Sequence, residues 1–202
     1  MDVGTLISIL AGIVTITTGV VALVRYLQRR QRNVLSLSAW SLNMAKKYQE
    51  AISVCEEALR KNPKDASAYE NLSWALNALG RHPEALEASD RAIAIKASAG
   101  AYNNRGWAFQ AMGHFSPALQ AFEKALAIDQ RFAPACNGKG DVYSMLPGQE
   151  DRALAAYEQA LFIDPGFVPA YKGKGKVLQR QGKLTEAQQA FEQAQHLERS
   201  KQ

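Results

Sequence analysis

Cysteine is scarce in this 202-residue chain. Cys55 and Cys136 are the only two, far apart and without a second pair. That excludes a disulfide framework and any cysteine-based metal spacing. Histidine is little commoner: His82, His114 and His196 have no partner at a helical spacing suited to binding a metal or activating a nucleophile. Gly138 and Gly140, like Gly173 and Gly175, flank a lysine but lack the GxxxxGK[ST] spacing of a phosphate loop. The chain is therefore expected to be no enzyme and to carry no metal or cofactor.

Charge is also missing from a long stretch. Val3 to Val24, VGTLISILAGIVTITTGVVALV, holds no ionisable residue. At about 1.5 Å per residue, a helix of that length crosses a hydrocarbon core of roughly 30 Å. A cleaved signal peptide would place basic residues before a shorter apolar run, whereas here Met1 and Asp2 precede it and the arginines follow. A buried core helix would show a polar face, and this segment offers only Ser and Thr. The expectation is a transmembrane anchor over residues 1–24 and a basic juxtamembrane helix over 25–34, with no Pro or Gly to break it.

Arg25, Arg29, Arg30 and Arg32 place the carboxyl-terminal side in the cytoplasm and the amino terminus outside or in a lumen. They can also meet anionic lipid headgroups. They account for most of the net charge of +5, since the chain from Asn33 onward has 20 Lys and Arg against 18 Asp and Glu. A nucleic-acid partner is not expected. Gly4, Ser8 and Gly12 recur every fourth residue, the small-residue spacing that lets membrane helices approach closely. The anchor either self-associates through that face or simply reflects how common these residues are in membrane helices.

The rest of the chain is periodic. Ala51, Ala85, Ala118, Ala153 and Ala187 follow one another at steps of 33 to 35 residues. Seven residues beyond each stands a second alanine: Ala58, Ala92, Ala125, Ala160 and Ala194. Between them lie Cys55, Ser89, Phe122, Tyr157 and Phe191, while Gly80, Gly113 and Gly182 mark turns. Stretches such as AYNNRGWAFQAMGHFSPALQAFEKALAID resemble the tetratricopeptide repeat family, whose unit of about 34 residues folds as two antiparallel helices. The resemblance covers about Arg32 to Lys201.

It implies an all-α superhelix, an α-solenoid of five helix-turn-helix repeats behind one amino-terminal transmembrane helix. The repeats fall at about 32–65, 66–98, 99–132, 133–167 and 168–201, within a domain of 35–202. Leu86, Leu119 and Leu154, with Ile93, Leu126 and Leu161, should receive the next repeat. Gln188 and Gln195 replace them in the last one, as an end that faces water requires. LPGQED, from Leu146 to Asp151, lengthens one turn by a residue.

The same resemblance implies a concave groove lined by first helices. The ninth position of three successive repeats is Trp40, Trp74 and Trp107, which are all the tryptophans present. Asn103 and Asn137 hold the fifth position, Asn71 and Asn104 the sixth. Together they offer apolar anchors and hydrogen-bonding groups to an extended protein segment. The alternative is that the tryptophans fill space between neighbouring first helices. Lys172, Lys176 and Arg180 make one face of the last repeat basic, which fits an acidic partner segment or a solvated terminal face. The carboxylate clamp by which some family members grip chaperone tails finds Ser36, Trp40, Asn71, Gly100 and Asn104 in its best frame, and only Asn71 matches.

The expected function is a membrane-tethered scaffold or assembly factor holding a protein partner. The alternatives are a receptor for extended peptide or targeting signals and a regulatory subunit of a membrane complex.

Overall fold

A computed structural model of the chain describes Val21 and residues 34–200. Among these the chain forms ten α-helices and no strand. They are α1 (34–44), α2 (Tyr48–Lys61), α3 (Ala66–Ala78), α4 (His82–Ile95), α5 (Ala99–Ala111), α6 (Phe115–Ile128), α7 (Ala133–Met145), α8 (Glu150–Ile163), α9 (Val168–Arg180) and α10 (Leu184–Arg199). The expected anchor, apart from Val21, lies outside the described residues, as do Arg25, Arg29, Arg30 and Arg32. No helix among the described residues is long and apolar enough to cross a membrane.

Local chemistry sets the helix ends. The Asp65 carboxylate accepts from the Ala68 amide at 3.1 Å, and the Ser98 hydroxyl from Ala101 at 3.0 Å. Each side chain satisfies an amide that the first helical turn leaves open. The tight turns inside the pairs need a left-handed residue. Gly80, Gly113, Gly148 and Gly182 supply it with φ of 72–77°, while the first pair uses Lys46 at φ 59°.

The repeated alanines sit where two helices approach most closely. Ala51, Ala85, Ala118 and Ala153 are fully buried and Ala187 nearly so. Larger residues fill the remaining space. The Phe122 ring is held between Gly106 of its own repeat and Gly138 of the next, where a Cβ would lie 2.5 and 2.4 Å from it. Tyr157 is held the same way by Gly140 and Gly173, and Phe191 packs on Gly175. The GKG pairs are thus packing sites inside first helices.

Neighbouring first helices touch one another, α3 with α5, α5 with α7 and α7 with α9, whereas successive second helices do not. The array consequently curves with its first helices on the inner, concave side. At the carboxyl-terminal end Gln188 and Gln195 are exposed, while Leu86, Leu119, Leu126, Leu154 and Leu161 are part-buried against their neighbours.

Candidate partner-binding groove

The inner surface is a row of first-helix side chains, and its character changes along the array. Trp40 is 51% exposed, whereas Trp74 and Trp107 are half-buried. The Trp107 ring meets Phe122 edge-on, with centroids 6.0 Å apart. The three tryptophans therefore differ: Trp40 stands at an open edge, and the other two have one side packed. Beside Trp40 is an open cavity of about 880 Å³, lined also by Leu37, Lys64, Glu70, Asn71 and Lys96.

The asparagines divide into two kinds. Asn71 and Asn104, at the sixth position, are engaged by neighbouring repeats. Asn71 Nδ2 donates to the Ser36 carbonyl at 3.2 Å and Asn104 Nδ2 to that of Glu70 at 2.9 Å. In return Asn43 Nδ2 donates to the Asn71 carbonyl (2.9 Å) and Asn77 Nδ2 to that of Asn104 (2.8 Å). Asn103 and Asn137, at the fifth position, are buried, and the Oδ1 of each has no partner. Asn43 Oδ1 and Gln110 Oε1 are likewise buried without a partner, and each such oxygen costs about 1–3 kcal/mol.

The basic residues separate similarly. Lys172 Nζ pairs with Glu198 Oε1 at 2.7 Å, and Arg180 Nη1 donates to the Ser144 carbonyl at 2.8 Å. Lys176 is exposed and its charge acts on Asp141.

Asp141 is a member that sequence reasoning passed over. It takes the ninth position in the fourth repeat, where the preceding repeats carry tryptophan. Tyr157 Oη donates to its Oδ1 at 2.6 Å and Asn137 Nδ2 to its Oδ2 at 2.8 Å. Burial raises its pKa, against the opposing pull of these two bonds and of Lys176. The available signal was the break in the tryptophan register together with Asn137 one helical turn before it. Asn43 and Asn77 were also missed; they share the twelfth position of successive repeats.

Cys55 and Cys136 are fully buried. Burial, with the nearby charges of Asp65 and Glu56, pushes the Cys55 thiol up to about 12. Such a thiol stays protonated at neutral pH and behaves as a small apolar side chain.

Three family models, each described as a tetratricopeptide repeat, match residues 38–101, 99–132 and 168–201, together more than half of the chain. Among solved structures, a thermophilic repeat protein of Thermus thermophilus is similar with a TM-score of 0.75 and 24% identity, over 82% of this chain and 91% of that one. PilW, described as a widely conserved type IV pilus biogenesis factor, is similar with a TM-score of 0.69 and 27% identity, over 82% and 77%. A 50-residue stretch is 44% identical to an Hsp70-Hsp90 organising protein of Plasmodium falciparum, covering 25% of this chain. The chain spans only 20% of that relative's length, and 9% of a second of the same name.

Proposed function

Because the chain belongs to the tetratricopeptide repeat family, we propose that it is a membrane-tethered scaffold or assembly factor whose concave groove holds an extended segment of a protein partner. The observation that carries this reading is the inner rank of first helices, which bears the half-buried Trp74 and Trp107 and the exposed Lys176. An extended backbone supplies N–H donors at regular spacing, and tryptophan faces supply apolar anchors. Farther along, the exposed Lys176 favours an acidic residue in the bound segment.

The similarity to PilW, a biogenesis factor by its description, supports a role in building or holding a complex. The chaperone-organising relative does not extend the reading to chaperone tails. Asn71 is the single clamp match, and its side-chain amide is already donated to Ser36. Membrane tethering rests on the uncharged run of Val3 to Val24 and the arginines after it, with the repeats on the cytoplasmic side.

The test is affinity capture from detergent-solubilised membranes, comparing the native chain with Trp74→Ala and Trp107→Ala. Binding of the captured partner should weaken by on the order of 2 kcal/mol in each variant, as expected for an interface hot spot. Unchanged binding by variants that keep their helical circular dichroism would overturn the groove reading. Protease protection of the repeats in sealed vesicles would overturn the orientation.

A further inference from the structure

Among the described first helices only Glu70 and Asp141 are acidic, and they are held differently. Glu70, in α3, accepts from the Ser98 hydroxyl just before α5. Asp141, in α7, accepts one bond on each carboxylate oxygen, from Tyr157 Oη and from Asn137 Nδ2. A carboxylate has room for about four such bonds, so each Asp141 oxygen keeps a lone pair. The residue is half-buried, and burial raises its pKa against those two bonds and the Lys176 charge. Its negative charge is therefore short of both water and a cation.

The cations nearby do not make up that shortfall. Lys176 of α9 is exposed and acts on Asp141 without a direct ion pair of its own. The rest of α9 is engaged elsewhere: Lys172 pairs with Glu198, Lys174 with Glu158, and Arg180 donates to the Ser144 carbonyl. On α7 itself Lys139 pairs with Glu123.

We propose that Asp141 is a specificity-determining residue of the groove, which binds a lysine or arginine of the partner segment about three residues from the acidic residue that faces Lys176. This inference rests on the groove reading above. Neighbouring first helices are in contact, and packed helices lie about 8–10 Å apart. An extended chain advances about 3.3 Å per residue, so it meets a new repeat roughly every three residues. The ninth positions of repeats two to five are Trp74, Trp107, Asp141 and Lys176. The complementary segment thus carries apolar, apolar, basic and acidic side chains in that order along the array. A basic side chain at Asp141 forms charge-assisted bonds in a partly desolvated place, where they are stronger than in water. The Tyr157 hydroxyl and the Asn137 amide fix the carboxylate for it. A segment with the two charges exchanged meets like charge at both places, so the same pair of residues rejects it.

The experiment selects a random dodecapeptide library, displayed on phage, against the full chain in detergent micelles. The native chain should enrich peptides in which Lys or Arg lies about three residues from Asp or Glu, with apolar residues on the basic side. Selection on Asp141→Asn should lose the basic preference and keep the acidic one. Selection on Lys176→Glu should exchange acid for base at the last place. An enriched peptide, labelled with fluorescein and followed by anisotropy, should bind Asp141→Asn roughly tenfold more weakly than the native chain. Gln in place of the peptide's basic residue should weaken binding to the native chain by a similar factor. In the Asp141→Asn chain the same peptide change should cost little further.

Peptides enriched without a basic residue, or bound equally well by Asp141→Asn, overturn the role of Asp141. If those peptides lose affinity on Trp74→Ala and Trp107→Ala, the groove reading stands. Peptides indifferent to the tryptophan and Asp141 changes alike, or no enrichment over empty micelles, overturn the groove reading and the inference with it.

Discussion

Asp141 shows how one residue changes the groove. In register it stands between Trp107 of the preceding repeat and Lys176 of the following one, where its carboxylate is half-buried. Burial makes the charged form costly, and the Tyr157 hydroxyl, the Asn137 amide and the Lys176 charge recover only part of that cost. Its pKa in the folded chain therefore lies above the unfolded value. Between those two values the folded state binds more protons, so stability falls as pH rises through the window. The Tyr157 phenol is shifted upward by burial and by the Asp141 charge, so it remains a hydrogen-bond donor throughout. Asp141→Asn keeps an acceptor for Tyr157 and removes the charge. In urea denaturation between about pH 4 and pH 8, the variant should lose the decline attributable to this site. It should also be at least as stable as the native chain at neutral pH. An unchanged pH slope would count against a raised Asp141. The tryptophan register was legible in the sequence, but the half-buried carboxylate was not, because its environment is set by Tyr157 on the facing helix.

Paired helices follow from the alanine and glycine periods, and the fold agrees with that reading closely. What the periods do not reveal is how one helix sets the size allowed on another. Cys55 and Ser89 are followed, in the next repeat, by Asn71 and Asn104 at the sixth position; Phe122 and Tyr157 are followed by Gly138 and Gly173. A small residue on the second helix leaves room for an asparagine, and an aromatic ring requires glycine. Even one methyl group on Gly138 would come within 2.4 Å of the Phe122 ring. Overpacking of that kind costs about 1–3 kcal/mol, and Gly138→Ala should destabilise the domain by that amount in chemical denaturation. If the ring is the cause, the same change in a Phe122→Leu background should cost distinctly less. Equal costs in the two backgrounds would place the strain elsewhere. The glycine pairs were recognisable as packing sites from their place in first helices. Their partners were not, since the contact joins residues of two different repeats.

At the scale of the whole array, each repeat touches only its neighbours, so stability is a chain of joints in series. The joints are of two kinds. Between repeats one and two, and between two and three, side-chain amides cross to helix carbonyls in both directions: Asn43 and Asn71 at the first, Asn77 and Asn104 at the second. Each such carbonyl has a second lone pair free for the incoming bond. At the third joint the crossing bonds give way to the Phe122 ring seated on Gly138, with Gln110 reaching only the Met145 sulfur at 3.9 Å. The two halves of the array are consequently held differently: reciprocal asparagine bonds cross the first two joints, whereas aromatic rings seated on glycine fill the last two, the fourth also crossed by Arg180 to the Ser144 carbonyl. Asn77→Ala with Asn104→Ala removes both crossing bonds of the second joint and leaves their carbonyl partners short of a donor. A loss of about 1–3 kcal/mol is expected, and it should not spread evenly. Amide hydrogen exchange should quicken in α1 to α4 while α7 to α10 keep their protection, because the joints beyond repeat three are untouched. Uniform acceleration along all ten helices would mean that the array opens as one cooperative unit, and that the two kinds of joint are mechanically equivalent.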